Sequence, residues 1–272
     1  MKLQIGFARD TKETESEIIP CTAPPRSAVP RKSVVQVHFP GRGSSLAYYN
    51  DMFDLHVGDF VYVEGKLEGQ RGRVTNVSYN FKIRLADYKR IIALVDTSVK
   101  GQFHFAGSHF VTFDRCAIPY EKVIRWFKAP ISVEDDFVSG NDDSSFRLDD
   151  LKGMNVTTAI AERGHDYYMD NHVLYISIDG ARGHAIVEGS EAYEVEFAYH
   201  NGEISQLTCS CYCSYPCKHE FAAMLQLRET LERIEKNYAA EYEHTGYFAA
   251  MFKGTLFSFA VDGIDVGSFT LN

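Results

Sequence analysis

The sequence predicts an α+β protein with a strand-rich N-terminal part and a mixed C-terminal part. Short strand-like segments separated by turn residues recur over residues 33–129, a spacing typical of a small β-barrel domain. Acidic and small polar residues dominate residues 130–147, which predicts a linker because such a composition cannot form a core. Strand-like segments and a long amphipathic helix over residues 148–272 predict a second, α+β domain.

The N-terminal part begins with an extended arm over residues 1–32, where three prolines after Cys21 oppose a helix. The barrel strands are predicted at residues 34–39, 46–49, 57–64, 71–77, 80–85 and 90–96. A hairpin follows over residues 101–113. We expect its His104 and His109 to be exposed or hydrogen-bonded strand residues rather than metal ligands. A short helix over residues 120–127 carries Trp126, the one tryptophan of the chain.

In the C-terminal part we expect a helix over residues 148–168, four strands and a second helix over 218–238. The strands are predicted at residues 173–178, 185–188, 193–197 and 204–208. A closing hairpin is predicted from residues 247–252 and 256–261, followed by a turn at Asp262 and Gly263 and a final strand.

Four cysteines and a histidine lie within eleven residues, in the run Cys209-Ser-Cys-Tyr-Cys-Ser-Tyr-Pro-Cys-Lys-His219. Side chains two residues apart on a strand point to the same side, so Cys209 and Cys211 can bind the same ion. Positions two apart in a helix diverge, so Cys217 and His219 must lie where a loop enters the helix. Three thiolates and one imidazole describe a closed, structural zinc site.

The pattern CxC, spacer, CxH resembles the SWIM zinc finger. Residues 183–195 are similar to the strand pair that precedes the knuckle of that family, and residues 217–223 to the start of its helix. The resemblance covers roughly residues 150–240, with a spacer of five residues that is short for the family. It implies Cys209, Cys211, Cys217 and His219 as the zinc ligands, with Cys213 as a substitute ligand or a bystander.

Other interpretations of the cluster fit less well. Disulfide scaffolds suit small secreted domains, whereas this chain has six cysteines in 272 residues and begins without a signal-like segment. A redox CxxC pair, an HExxH motif and a deaminase PCxxC motif are absent from the sequence. No apolar run reaches the roughly 18 residues needed to cross a bilayer. We therefore expect a cytoplasmic protein that is not an enzyme and has no membrane partner.

A second resemblance concerns the N-terminal part. Residues 55–65 and 69–74 are similar to the VGDxVxV and GxV strands of KOW-type small barrels and of the primosomal helicase DNA-binding domain. Four basic residues near Tyr79 and Phe81 suggest a surface for DNA or RNA: Arg71, Arg73, Lys82 and Arg84. The alternative is a barrel that is merely stable, with its glycines serving turns and bulges.

The net charge divides unevenly along the chain. Residues 1–115 carry 16 Lys and Arg against 12 Asp and Glu, whereas residues 116–272 carry 12 against 25. The resemblance implies a zinc-binding accessory protein that binds nucleic acid and recruits or assists a helicase-type ATPase or another DNA-processing machine. The alternative is a protein-interaction adaptor in which zinc is purely structural, and the acidic C-terminal part favours it.

Overall fold

The computed structural model describes residues 3–5, 30–130, 140, 144–211, 213–262 and 269–271. These residues form a mixed α+β structure that is mostly sheet, with two sheets and five α-helices. Most of the predicted N-terminal arm and of the predicted linker lies outside the described residues. The division into domains at residues 130–147 stays a prediction.

The smaller sheet is antiparallel and contains five strands in the order β3-β2-β5-β4-β6. The strands are β2 (Ser33–His38), β3 (Leu46–Asn50), β4 (Phe60–Val63), β5 (Gly72–Ser78) and β6 (Ile91–Val95). Because side chains alternate along a strand, Val35 and Val37 of β2 point to the same face of the sheet. They form a core there with Val61 of β4 and Val74 of β5.

The described residues form no closed barrel, so the predicted barrel is corrected to an open five-stranded sheet. Its edge strands β3 and β6 approach each other only at an isolated bridge between Tyr49 and Arg90. The segment 80–85, predicted as a strand, is a loop that enters a 3-10 turn at Leu85–Asp87. Phe81 of this loop packs edge-on against Tyr49, with 6.3 Å between the ring centroids. The aromatic ring therefore finds an apolar contact although the segment does not pair as a strand.

The larger sheet contains ten strands in the order β1-β15-β7-β8-β14-β10-β11-β12-β13-β9. They are β1 (Leu3–Ile5), β7 (Gly101–Ala106), β8 (His109–Thr112), β9 (Ser145–Arg147), β10 (Val173–Asp179), β11 (Arg182–Glu188), β12 (Ala192–His200), β13 (Glu203–Cys209), β14 (Tyr247–Phe252) and β15 (Phe269–Leu271). The pairs are antiparallel except β15 with β7. The hairpin of β7 and β8, which we grouped with the small barrel, therefore belongs to this sheet through β14.

The helices are α1 (Tyr120–Phe127), α2 (Thr158–Met169), α3 (Lys218–Asn237), α4 (Ala239–Thr245) and α5 (Lys253–Asp262). The predicted helices over 120–127 and 218–238 are confirmed. The predicted helix over 148–168 is instead a 3-10 turn at Leu151–Met154 followed by α2. The strand predicted over 256–261 is wrong: α5 occupies it, and Leu256, Phe259 and Ala260 share its buried face at helical spacing.

Two hydrophobic cores cover opposite faces of the larger sheet. Ile176 and Ile178 of β10 face the helices α2 and α3, where Met224 and Leu227 of α3 pack against them. Tyr175, on the other face, belongs to a core formed with α1, α5 and part of the smaller sheet. In the described part of the chain, no helix is long and apolar enough to cross a membrane.

Candidate metal centre

The end of β13 and the start of α3 bring together the four residues that the sequence singled out. One ligand atom each from Cys209, Cys211, Cys217 and His219 lies within 4.8 Å of all the others. Cys217 and His219 are buried, and Cys209 and Cys211 are half-buried. Cys213 is exposed and lies outside this group of atoms. Three sulfur donors and one nitrogen donor can hold a metal ion.

Cys217 is placed by the start of α3. It is the N-cap residue: its Sγ accepts a hydrogen bond from the Glu220 backbone N–H at 3.5 Å, while Glu220 Oε2 accepts from the Cys217 N–H at 2.7 Å. This reciprocal capping box puts the sulfur at the positive end of the helix dipole. A thiolate is stabilised at such a position, which is the form that binds metal.

The three thiols influence one another's protonation. A hydrogen bond from Cys209 lowers the pKa of Cys217, and the bond to His219 acts in the same direction. The pKa of Cys209 is raised by its hydrogen bond to Cys217 and by burial, while burial raises the pKa of Cys211. Burial, followed by the charge of Cys217, raises the pKa of Glu220 to about 8. Without a cation, Cys217 is therefore the one thiol of the three whose ionised form is favoured, and a bound cation would favour the thiolate forms of Cys209 and Cys211 as well.

The ring of His219 is fixed by two tyrosines. Tyr193 stacks on it with 4.2 Å between centroids, and Tyr167 meets it edge-on at 5.5 Å. The Nδ1 atom lies 3.8 Å from the Sγ atoms of both Cys209 and Cys217, so Nδ1 is the nitrogen that faces the thiols. The Nε2 atom is buried and has no hydrogen-bond partner among the described residues. The ring orientation therefore favours metal ligation through Nδ1.

A polar network holds the loop between Cys209 and Cys211. The Ser210 backbone N–H donates to the Glu194 carbonyl at 2.9 Å, and the Ser210 Oγ accepts from the Glu194 N–H at the same distance. Lys128, just after α1, donates to Glu194 Oε1 at 2.7 Å. Lys128 and Glu194 are not among the residues predicted for the site, because they are 66 residues apart and carry no local signal for this contact.

The four cluster cysteines are free, whereas Cys116 is disulfide-bonded. The histidines of the β7–β8 hairpin lie apart from the cluster. His109 is fully buried and its Nε2 pairs with the Val173 carbonyl at 2.7 Å, while His104 packs against Phe113 and Tyr238. His109 is thus a hydrogen-bonded strand residue, as expected, and His104 is half-buried among aromatic rings.

The four basic residues proposed for nucleic acid do not form one patch. Arg71 is half-buried, with its guanidinium over the rings of Phe259 and Phe60 at 4.2 and 4.9 Å. Arg73 is exposed and lies over Phe60. Lys82 and Arg84 are exposed in the loop beyond the far end of β5, which is about 17 Å from Arg73 at the usual rise per strand residue.

One basic residue near that loop was missed. Arg31 precedes β2, and its guanidinium lies 4.2 Å from the centre of the exposed Tyr79 ring. Arg31 belongs to the predicted extended arm, and its contact with Tyr79 has no local sequence signal because the pairing of β2 with β5 creates it.

Comparisons of the chain with protein-family models, with curated proteins and with solved structures found no match.

Proposed function

We propose that the cluster binds a zinc ion and that the protein is a SWIM-like accessory protein that binds nucleic acid. The convergence of three thiols and one imidazole within 4.8 Å carries the metal part of this proposal. Four such donors match the tetrahedral coordination and soft ligand preference of Zn²⁺. With all four positions filled by protein, the ion has a structural role.

The nucleic-acid part is supported by exposed charge beside an exposed ring. Arg31, Lys82 and Arg84 are exposed around the end of β5, and Tyr79 is 41% exposed there. Cations that neutralise phosphates, next to an aromatic face for stacking, are the elements of single-strand binding surfaces. Arg71 is removed from this set because its guanidinium packs on the rings of Phe60 of β4 and Phe259 of α5. By resemblance, a helicase-type ATPase is the proposed partner.

A charge-reversal experiment tests this surface. We expect the zinc-loaded full chain to bind a labelled single strand in a salt-dependent manner. The double variant Lys82→Glu, Arg84→Glu should weaken binding and reduce the slope of log K against log salt by about 1.4, the value for two phosphate contacts on a single strand. DNA and RNA of the same sequence should be compared by fluorescence anisotropy at several salt concentrations.

The matched control is Lys152→Glu, Lys236→Glu, which changes the net charge equally at exposed positions of the C-terminal part. Equal weakening by both double variants would show that only net charge acts and would contradict a binding surface at residues 79–84. A folded, zinc-loaded protein with no salt-sensitive binding to either nucleic acid would favour the alternative function, a protein-interaction adaptor. The observation that favours the adaptor is the packing of Arg71 on Phe60 and Phe259, because it removes one cation from the proposed nucleic-acid surface.

A further inference from the structure

A cleft of about 690 Å³ lies between the smaller sheet, α5 and the loop that joins α2 to β10. Its volume falls within the range of small-molecule sites. Arg71, which directly precedes β5, Trp126 of α1, and Thr255 and Ser258 of α5 line one part of it. Asp170 and Glu188, from the loop and from the end of β11, also line it. The cleft is separate from the metal centre and from the Lys82 and Arg84 surface.

Arg71 places a half-buried cation in this cleft. A guanidinium carries five N–H donors. One N–H of Nη1 donates to the Trp126 carbonyl, and the guanidinium plane rests on Phe259. Among the described residues, no carboxylate forms an ion pair with Arg71. Burial lowers the pKa of Arg71, as expected for a cation that is desolvated without a counter-ion. A buried charge is normally paired, so the free donors indicate an anionic ligand.

The hydroxyl groups of α5 lie on the side of the helix that faces Arg71. Positions 255, 258 and 259 share one helix face, and Phe259 is the residue that contacts the guanidinium. The guanidinium fork can bind two oxygens of an anion, and the Thr255 and Ser258 hydroxyls can donate to a further oxygen. This donor set fits the three terminal oxygens of a phosphate monoester better than the two oxygens of a carboxylate.

The other polar residues that line the cleft suit the hydroxylated part of a ligand. Asp170 and Glu188 are acceptors, and neither is in an ion pair with Arg71, so they remain able to accept from ligand hydroxyl groups. We propose that the cleft binds a small phosphate monoester of a polyhydroxylated compound, with its phosphate on Arg71, Thr255 and Ser258 and its hydroxyls toward Asp170 and Glu188. This site goes beyond the proposed nucleic-acid function and does not depend on it.

The single tryptophan gives a direct measurement, because Trp126 lines the cleft and its carbonyl binds Arg71. The probe is ribose 5-phosphate, titrated into the full chain while Trp126 fluorescence is recorded. We expect a saturable change with ribose 5-phosphate, weaker binding of inorganic phosphate, and none with ribose. Ser258→Ala and Thr255→Val should each weaken binding about tenfold, as for the loss of a hydrogen bond to a charged group.

Arg71→Gln should abolish binding, with Arg73→Gln, two residues along the chain, as its control. Because Arg71 also packs on Phe259, the two α5 variants keep the test independent of that packing. Asp170→Asn should weaken the binding of ribose 5-phosphate but not that of inorganic phosphate, a selectivity that a purely structural role would not produce. The proposal is overturned if folded protein shows no saturable change, or if Ser258→Ala and Thr255→Val bind ribose 5-phosphate as tightly as the unchanged chain does.

Discussion

The position of each side chain decides which of the four cysteines can bind a metal ion. Cys213 lies in the same short segment as the other cysteines, and the sequence alone left it open as a substitute ligand. The fold separates it from them: its side chain is exposed, whereas the Cys209, Cys211, Cys217 and His219 donors converge. The start of α3 is decisive, because the capping box directs the Cys217 sulfur inward.

We therefore expect Cys213→Ser to bind one zinc ion per chain and Cys217→Ser to lose it. The two substitutions are chemically identical and four residues apart, so each is the control of the other. Zinc is measured by elemental analysis of protein purified without chelator. Loss of zinc from Cys213→Ser with retention in Cys211→Ser would show that Cys213, and not Cys211, is the third thiolate.

His109 gives a pH dependence that does not involve the metal centre. Its pKa is lowered to about 4 by burial, against 6.5 in the unfolded chain; Glu229 opposes the shift and Lys253 adds to it. The unfolded chain therefore binds more protons between pH 6.5 and 4, and the free energy of unfolding falls as the pH falls through this window. The contribution of His109 is fully present above pH 6.5.

Between pH 6.5 and 5 this single histidine should cost about 1.5 kcal/mol of stability. Urea unfolding of zinc-saturated protein at both pH values measures the loss. His109→Gln should reduce the difference between the two pH values, while His165→Gln, at an exposed position of α2, should leave it unchanged. An undiminished pH dependence in His109→Gln would assign the effect to other groups.

At the level of secondary structure, the register of β11 and β12 depends on a residue without a side chain. Gly183 of β11 lies opposite Phe197 of β12, whose ring covers the glycine. A Cβ atom at position 183 would lie 2.0 Å from Phe197 Cε2, and Phe197 is itself buried in the core beneath α3. The ring has little room to move, because protein cores are close-packed.

Gly183→Ala should therefore destabilise the protein by about 1–3 kcal/mol, the usual cost of overpacking a core. Gly43→Ala is the control, since a Cβ there meets no atom within 4 Å. The free energies of unfolding in urea are compared at constant zinc. Equal stability of the two variants would mean that Phe197 can swing aside, and that this strand pair is looser than its packing indicates.

The sequence predicted elements well where the pattern of apolar residues has one solution. The alternating valines of β2 and the apolar stripe of α3 are examples, and both elements are where we expected them. Residues 256–261 have two solutions, because Leu-Phe-Ser-Phe-Ala-Val is a short apolar run that suits a buried strand and also places residues 256, 259 and 260 on one helix face. Packing against α1 and the smaller sheet selects the helix.

The candidate metal centre was more predictable than its surroundings. Its four donors lie within eleven residues, so local spacing is enough to bring them together. The contacts that support the centre are not local. Lys128 reaches Glu194 and Ser210 only because α1 packs beside β12, and Tyr167 reaches His219 only because α2 packs on α3. No pattern in a single sequence reports such pairings.

For the whole molecule, the main consequence of the fold is that the larger sheet gathers strands from both parts of the chain. The β7–β8 hairpin pairs with β14, although about 140 residues separate them in sequence. A fragment that ends at residue 115 would therefore cut through the ten-stranded sheet. The smaller sheet, with its own core of Val35, Val37 and Val61, is the part that the topology leaves most independent.

Removing zinc should consequently loosen the larger sheet before the smaller one. Structural zinc sites contribute about 10 kcal/mol or more of apparent binding free energy, and at the proposed site that energy would hold β13 against α3. We expect chelation to increase amide hydrogen exchange first in β12, β13 and α3, and then in β10, β14 and the β7–β8 hairpin that pairs with them. The strands β2 and β5 should keep their protection.

Hydrogen exchange followed by mass spectrometry, with and without chelator, resolves these segments. Simultaneous loss of protection in both sheets would show that the molecule unfolds as one unit, and unchanged exchange in β13 and α3 would remove the structural role of the metal.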